Sequence, residues 1–249
     1  MVTRNIAAVI PTLNEENNIG KLVDFLYKNG VTTYVIDDNS KDDTRAIASA
    51  NGAYVIANKE RVGITKSLWQ GFNTVLGYNK SEYGFLNPYE YVVTIDAESH
   101  NPGQLFSMVQ LAANYDMVIG SRFLPFSNYD NSNGTWYRPT ASKLAAKLCN
   151  LAQSKAKFTD WTSGYRVYST DLINSLSKFT YNSTMHPVQI EMLARAHSIG
   201  ANIKEYPIEY VAGKTSFDAS VASEAFKIWS QVINHYPSRG KVEVKSSLW

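Results

Sequence analysis

Residues 6–16 read Ile-Ala-Ala-Val-Ile-Pro-Thr-Leu-Asn-Glu-Glu. The unbroken apolar run Ile6 to Ile10 predicts a strand covered on both faces, because a strand with one wet face alternates apolar and polar residues. The turn after it lacks the Gly-rich loop that lets backbone approach a dinucleotide pyrophosphate, which argues against a dinucleotide oxidoreductase. Residues 16 to 29 then place Ile19, Leu22, Val23, Phe25 and Leu26 at near-helical spacing, and Gly30 fits the stop. Strand, polar turn and helix form the first unit of an α/β chain.

The unit recurs along the sequence. Thr33 to Ile36 reads as a strand running into Asp37-Asp38, followed by a helix over 42–50 and a strand at Tyr54 to Ala57. A helix at about 64–78 leads to the strand Tyr91 to Ile95, and Met117 to Gly120 reads as another strand with Arg122 just past its end. Residues 123–137 carry Pro, Gly and clustered Asn and predict a long mobile loop. A helical pattern over 139–157, a strand at 165–169, a helix at 187–199, short strands within 203–211 and a last helix at 220–235 complete the reading. Alternation of this kind predicts a mostly parallel central sheet flanked by helices, with ligands at the C-terminal edge of the strands. The expected organisation is one domain over 1–236, with 1–122 and 123–236 as its halves, and a basic tail at 237–249.

Composition narrows the function classes. The chain has 249 residues, with 24 Lys+Arg against 22 Asp+Glu for a net charge of +2, which excludes a strongly basic nucleic-acid face. The single cysteine, Cys149, excludes an intramolecular disulfide framework and a cysteine zinc cage. No run approaches the roughly 18 apolar residues of a spanning helix, and Met1-Val-Thr-Arg-Asn lacks the zones of a signal peptide. The expectation is a soluble, cytoplasmic protein that can still work at the cytoplasmic face of a membrane.

Two acidic clusters carry chemistry. Asp96-Ala97-Glu98 follows the strand YVVTI, where two carboxylates can curl around a hard divalent cation, and His100 can add a third ligand suited to Mn²⁺ or Mg²⁺. Asp37-Asp38-Asn-Ser-Lys-Asp-Asp-Thr44 follows the second strand and opens a helix that Ser40 or Asp42 can cap. Capping does not require Asp37 and Asp38, and paired carboxylates there repel unless a ribose, a base amide or a metal engages them.

Pro11-Thr-Leu-Asn-Glu-Glu, the Asp37–Thr44 run, Arg61-x-Gly63 and Asp96-Ala-Glu, in this order, resemble the family 2 glycosyltransferases of the GT-A fold. Gly120-Ser-Arg122, Trp136-x-Arg138-x-x-x-Ser142, Asp160-x-Thr-Ser-Gly164-x-Arg166 and Gln189-x-Glu-Met192 with Arg195 are similar to dolichyl- and polyprenyl-phosphate sugar synthases, especially the mannosyl branch. The resemblance runs from about residue 5 to residue 217. It implies that Pro11, Asn14, Glu15, Asp37, Asp38, Gly63, Ala97 and Gln189 contact a nucleotide sugar, GDP-mannose or a UDP-hexose. It also places Asp96, Glu98 and His100 at the metal positions, where the family usually has Asp-x-Asp followed by Gln. Arg122, Arg138, Ser142, Arg166 and Lys214 would bind the phosphate of a polyprenyl or dolichyl acceptor. Asp96, Arg122 and Arg138 would act catalytically.

A lipid phosphate is already ionised, so such an acceptor needs cations that offset anion repulsion, and one displacement inverts the anomeric carbon. A hydroxyl acceptor would instead need a carboxylate base, for which Asp160 or Glu191 are the candidates. Three alternatives stay open: another donor such as UDP-glucose, a glycan or protein hydroxyl as acceptor, and a nucleotide-sugar-binding scaffold without catalysis. Access to a lipid points to a membrane surface, reached directly or through a membrane-bound partner. Residues 141–152 carry Ala141, Leu144, Ala145, Leu148, Leu151 and Ala152 on one helical face with Lys143, Lys147, Lys155 and Lys157 nearby, a pattern that fits the interface or the domain's own core.

Overall fold

The computed structural model describes residues 5–86, 88–98, 100–132, 138–153, 156–184 and 187–212, and of residue 138 the backbone alone. Strand β1 (Ile6–Thr12) has all but one residue buried. It pairs in parallel with β2 (Thr32–Asp37) on one side and with β4 (Tyr91–Thr94) on the other. Strand β3 (Tyr54–Ala57) extends the sheet beyond β2, again in parallel. Helix α1 (Ile19–Lys28) makes the β1–β2 crossover, α2 (Thr44–Ala50) the β2–β3 crossover, and α3 (Ile64–Asn79) with the short α4 (Glu82–Leu86) leads to β4.

The second half closes the sheet. Helix α5 (Leu105–Ala112) precedes β5 (Met117–Ser121), the short strand β6 (Asn128–Asp130) precedes α6 (Arg138–Ala152), and β7 (Arg166–Ser169) runs straight into α7 (Thr170–Leu176). Helix α8 (Val188–Ser198), β8 (Ile203–Pro207) and β9 (Glu209–Val211) end the described chain. Among the described residues the main sheet has seven strands in the order β3-β2-β1-β4-β7-β5-β8. Only β7 is antiparallel to its neighbours, so β4 and β5 still point the same way and end at one edge. Strands β6 and β9 form a separate parallel ribbon.

Two cores lie on the two faces, and the strands feed both. Ala7, Val9, Ile36, Val92, Met117 and Ile119 pack with α3, α6, α7 and α8. Ala8, Ile10, Val35, Val93, Val118 and Val167 pack with α1, α5 and Ala48. The two-residue repeat of a strand sends alternate side chains to opposite layers, and so each β1 residue from Ile6 to Ile10 had to be apolar. Cys149 is buried in the first core, where burial pushes its thiol up to about 12.

Several expectations need correction. The connection from β4 to β5 contains α5, whose buried Leu105, Met108, Val109 and Ala112 follow a helical repeat. The loop expected at 123–137 is pinned at Asn128–Asp130, where β6 pairs with β9. The helix expected over 139–157 ends at Ala152, and the stretch within 203–211 divides between the main sheet and the ribbon. Helix 220–235, the tail 237–249, Trp136 and Lys214 lie outside the described residues.

At Gly71 helix α3 packs directly on the sheet: a Cβ there would collide with Val9 Cγ1 and sit 3.2 Å from Ile36 Cγ1. Replacing Gly71 by Val should force α3 away from β1 and cost about 2 kcal/mol of stability. Urea unfolding followed by far-UV circular dichroism measures it.

Candidate active site

The C-terminal edge of the sheet is built from two loops zipped together. Asn14 N–H donates to Ser40 Oγ (2.9 Å), and Lys41 N–H donates back to Asn14 Oδ1 (2.9 Å). Glu15 N–H reaches Thr44 Oγ1 (2.7 Å), while Asp43 N–H reaches Glu16 Oε2 (3.1 Å). Asn14 and Asn39 hold positive φ angles of 56° and 68°, which asparagine tolerates better than most residues. Neither expected residue is the cap: the N-cap of α2 is Asp43, without a side-chain bond, while Asp42 accepts from Thr44 N–H (3.1 Å) just ahead of the helix and Ser40 serves the zipper.

The paired acids at the end of β2 are engaged within the chain, which corrects the expectation that they need a ligand to relieve repulsion. Asp37 Oδ2 accepts from Ser40 N–H (3.0 Å) and lies 3.2 Å from Arg45 Nε. Asp38 Oδ1 accepts from Val62 N–H (2.7 Å) and Asn58 Nδ2 (3.2 Å), and its Oδ2 accepts from Gly63 N–H (2.9 Å). Gly63 stands at φ 89°, and a Cβ on it would fall 2.6 Å from the Thr184 carbonyl oxygen. Arg61-x-Gly63 is therefore a loop shaped by Asp38. Asp37 Oδ1 alone is buried with no hydrogen-bond partner. Pro11 is half-buried on the same edge.

Asp96 stands just past β4 with its side chain 52% exposed, followed by half-buried Ala97 and Glu98. Gly164 backs it, and a Cβ at residue 164 would lie 3.0 Å from both Asp96 carboxylate oxygens. Thr94 Oγ1 donates to the Gly164 carbonyl (2.7 Å), which locks that approach. Negative charge is concentrated here: burial first, then the charges of Glu98, Asp96 and Asp42, raise the Glu15 carboxyl above its ordinary value, against the hydrogen bond from Asn18. These hard oxygen donors fit a divalent cation whose remaining ligands come from phosphate and water.

His100 does not complete a triad with them. Its Nδ1 faces Asp96 N–H (3.3 Å) and lies 3.5 Å from Asp96 Oδ2, its ring packs against Tyr165 and Tyr210, and Nε2 is buried without a hydrogen-bond partner. Burial lowers its imidazole below the ordinary value, with Arg122 acting the same way and Asp96 opposing. Among the described residues no three His, Cys, Asp or Glu side chains gather to hold a metal. A cleft of about 290 Å³ opens beside it, lined by Glu98, His100, Asn101, Asn128, Asp130, Glu209, Tyr210 and Val211.

The arginines are corrected most. Arg122 is clamped by Asp160: Nε donates to Oδ2 and Nη2 to Oδ1, both at 2.7 Å, and its backbone N–H adds a third bond (3.1 Å). Its guanidinium lies over the rings of Phe123 and Tyr210, so it is an anchor and not a free cation for phosphate. Arg166 is fully buried and donates to the carbonyls of Ser163, Gln189 and Trp161, which removes it from any acceptor site. Gln189 holds Arg166 through its backbone while its buried Oε1 has no hydrogen-bond partner. Ser142 is half-buried one turn into α6, on the helical face that begins at Arg138.

Neither proposed base is available. Asp160 is fully buried and also accepts from the N–H groups of Thr162 and Ser163, both at 3.1 Å. Burial acts to raise its carboxyl, but the Arg122 guanidinium and these N–H donors outweigh it and hold the group below the usual range. Glu191 accepts from the N–H groups of Asn182 and Ser183 and from Arg195. Glu205 on β8 was missing from the sequence reading, yet it fixes Thr159 and Asp160 through their N–H groups (2.9 and 2.8 Å). Nothing near residue 205 in the sequence signals that role, since its partners lie more than forty residues earlier.

The chain matches the family model described as "Glycosyl transferase family 2" over residues 7–173. It is 29% identical over 237 residues to an undecaprenyl-phosphate mannosyltransferase of Micrococcus luteus, covering 88% of this chain and 90% of that protein. A polyprenol monophosphomannose synthase of Mycolicibacterium smegmatis is 28% identical over 215 residues, 84% of this chain and 78% of its own length. In fold, the chain superposes with a TM-score of 0.70 on glucosyl-3-phosphoglycerate synthase from Mycobacterium tuberculosis, crystallised with Mn²⁺ and uridine-diphosphate-glucose. That match has 19% identity and covers 94% of this chain and 79% of the other.

Asp160→Asn should leave the Arg122 charge buried without its partner and cost about 3 kcal/mol of stability. Because the native Asp160 carboxyl is held low, the wild-type advantage is present above about pH 4 and fades as pH falls through the native value. Urea unfolding of both proteins at several pH values checks size and sign.

Proposed function

Because the chain belongs to glycosyl transferase family 2, we propose that this glycosyltransferase moves a hexosyl group, mannosyl from GDP-mannose, onto a polyprenyl or dolichyl phosphate. One observation carries the acceptor reading: Asp160 and Glu191, the two carboxylates suited to deprotonating a hydroxyl, are both committed to guanidinium and backbone N–H groups. A phosphate acceptor is ionised already and needs no base. The two relatives named for lipid-linked mannose transfer support the same class of reaction.

In this reading the zipped loops around Asn14 and Glu15 receive the nucleotide, with Asp38 shaping the Val62–Gly63 wall. Asp96 and Glu98 hold a divalent cation, Mn²⁺ or Mg²⁺. When bound, such a cation offsets the charge that develops on a departing diphosphate. Gly164, having no side chain, leaves the space that the Asp96 carboxylate occupies, since a Cβ there would lie 3.0 Å from both of its oxygens. Arg138, Ser142 and Lys214 are assigned to the acceptor phosphate, since Arg122 and Arg166 are spent elsewhere. A single in-line displacement inverts the anomeric carbon.

Incubation with radiolabelled GDP-mannose or UDP-glucose, polyprenyl phosphate and Mn²⁺ should yield a chloroform-soluble, acid-labile sugar product. Asp96→Asn should lower its rate on the order of a hundredfold, and Arg138→Ala should raise the acceptor KM at least about tenfold. Labelled sugar passing only to a water-soluble glycan or to protein would replace the lipid-phosphate reading with a hydroxyl acceptor.

A further inference from the structure

The flank formed by the 123–126 turn and α6 exposes apolar side chains among lysines. Phe126 is 99% exposed and holds φ at 71°, a left-handed conformation that bulky residues rarely adopt. The turn is built to keep it there. Ser127 Oγ donates to the Ser121 carbonyl (2.7 Å), Ser127 N–H to the Leu124 carbonyl (3.1 Å), and Phe123 N–H to Ser121 Oγ (3.2 Å). On α6, Leu144 is 55% and Leu151 82% exposed along one stripe, with Lys147 between them at helical spacing. Lys143 Nζ lies 5.3 Å from the centroid of the Phe123 ring and ties the helix to the turn.

Charge decides what such a surface fits. Between Asp130 and Asp160 the sequence holds Arg138, Lys143, Lys147, Lys155 and Lys157 and no acid at all, in a chain that is otherwise close to balanced. Lysines interleaved with exposed leucines and a projecting phenylalanine match the interface of an anionic bilayer, where stems and rings enter the headgroup layer and ammonium groups meet phosphates. Position agrees with charge. Strand β5 ends at the same sheet edge as β4, so the Phe126 turn rises from the edge that carries Asp96.

We propose that Phe126, Leu144 and Leu151, with Lys143 and Lys147, form a docking surface for an anionic lipid bilayer. It deepens the lipid-phosphate reading and rests on it only for what docking accomplishes: the active edge is held against the membrane in which such an acceptor lies. Phe126 acts as the wedge and the lysines supply the long-range attraction.

The full chain should co-sediment with phosphatidylglycerol–phosphatidylcholine vesicles, and much less with phosphatidylcholine alone. Lys143→Glu with Lys147→Glu should lower the partition coefficient at least about tenfold, and Phe126→Ser about fivefold at either low or high salt. The matching charge change on α1, Lys21→Glu with Lys28→Glu, should leave binding as it was. Circular dichroism confirms that each variant is folded. A wild-type chain that stays in the supernatant, or a folded Phe126→Ser chain that binds like wild type, overturns the proposal. So does a wild-type dimer in analytical ultracentrifugation that Phe126→Ser dissociates, because the surface would then serve a second copy. Transfer to a water-soluble short-chain isoprenyl phosphate, assayed without vesicles, should be unaffected by Phe126→Ser. Failure of transfer to every lipid phosphate with vesicle binding intact would overturn the acceptor reading and leave this surface standing.

Discussion

The buried Asp160 carboxylate is the point on which the active edge is hung. It receives three donors from Arg122 and the N–H groups of Thr162 and Ser163, while Glu205 grips the backbone of Thr159 and Asp160 from the far side. One charged pair thus joins the end of β5, the approach to β7 and the edge strand β8. Buried ion pairs stabilise weakly compared with apolar packing, but removing one partner leaves a charge with no solvent. The loop it shapes delivers Gly164 to the back of Asp96, with Thr94 closing the contact.

Charge is divided across the molecule in a way that a net value of +2 conceals. The edge formed by β1, β2 and β4 concentrates Glu15, Asp96 and Glu98, and burial first, with the repulsion of these neighbouring carboxylates added, raises the Glu15 carboxyl. The stretch from 131 to 159 carries only positive charge. In the function proposed above, the first region would receive the donor diphosphate with its cation and the second would meet the lipid phosphate at its membrane. Arg122 belongs to neither, because Asp160 neutralises it between them.

The architecture was legible where burial on both faces left a mark in the sequence. Ile6 to Ile10 had to satisfy two cores at once, and the polar turns after β1, β2 and β4 lie together at one edge of the sheet, as expected. Helix α5 carries the same kind of mark, in the helical spacing of Leu105, Met108, Val109 and Ala112. Strand β6 does not: three residues within an Asn-rich stretch become a strand only because β9 lies alongside. The site divides the same way. Asp96 and Glu98 could be placed from the strand before them, but Arg122, Arg166, Asp160 and Glu191 could not be told apart as free or paired, since their partners lie from a few to some forty residues away.

The sequence by itself determined the family, the α/β alternation and the positions of the acidic edge, because strand period, turn chemistry and motif order are local properties of the chain. Only the tertiary structure decided which charges remain available. Asp37 and Asp38 became loop supports, His100 turned inward against Tyr165 and Tyr210, and Phe126 was held out into solvent. The physical reason is that an ionic group in a folded chain is satisfied by whatever donor packing brings within about 3 Å, and that proximity is not written in sequence spacing.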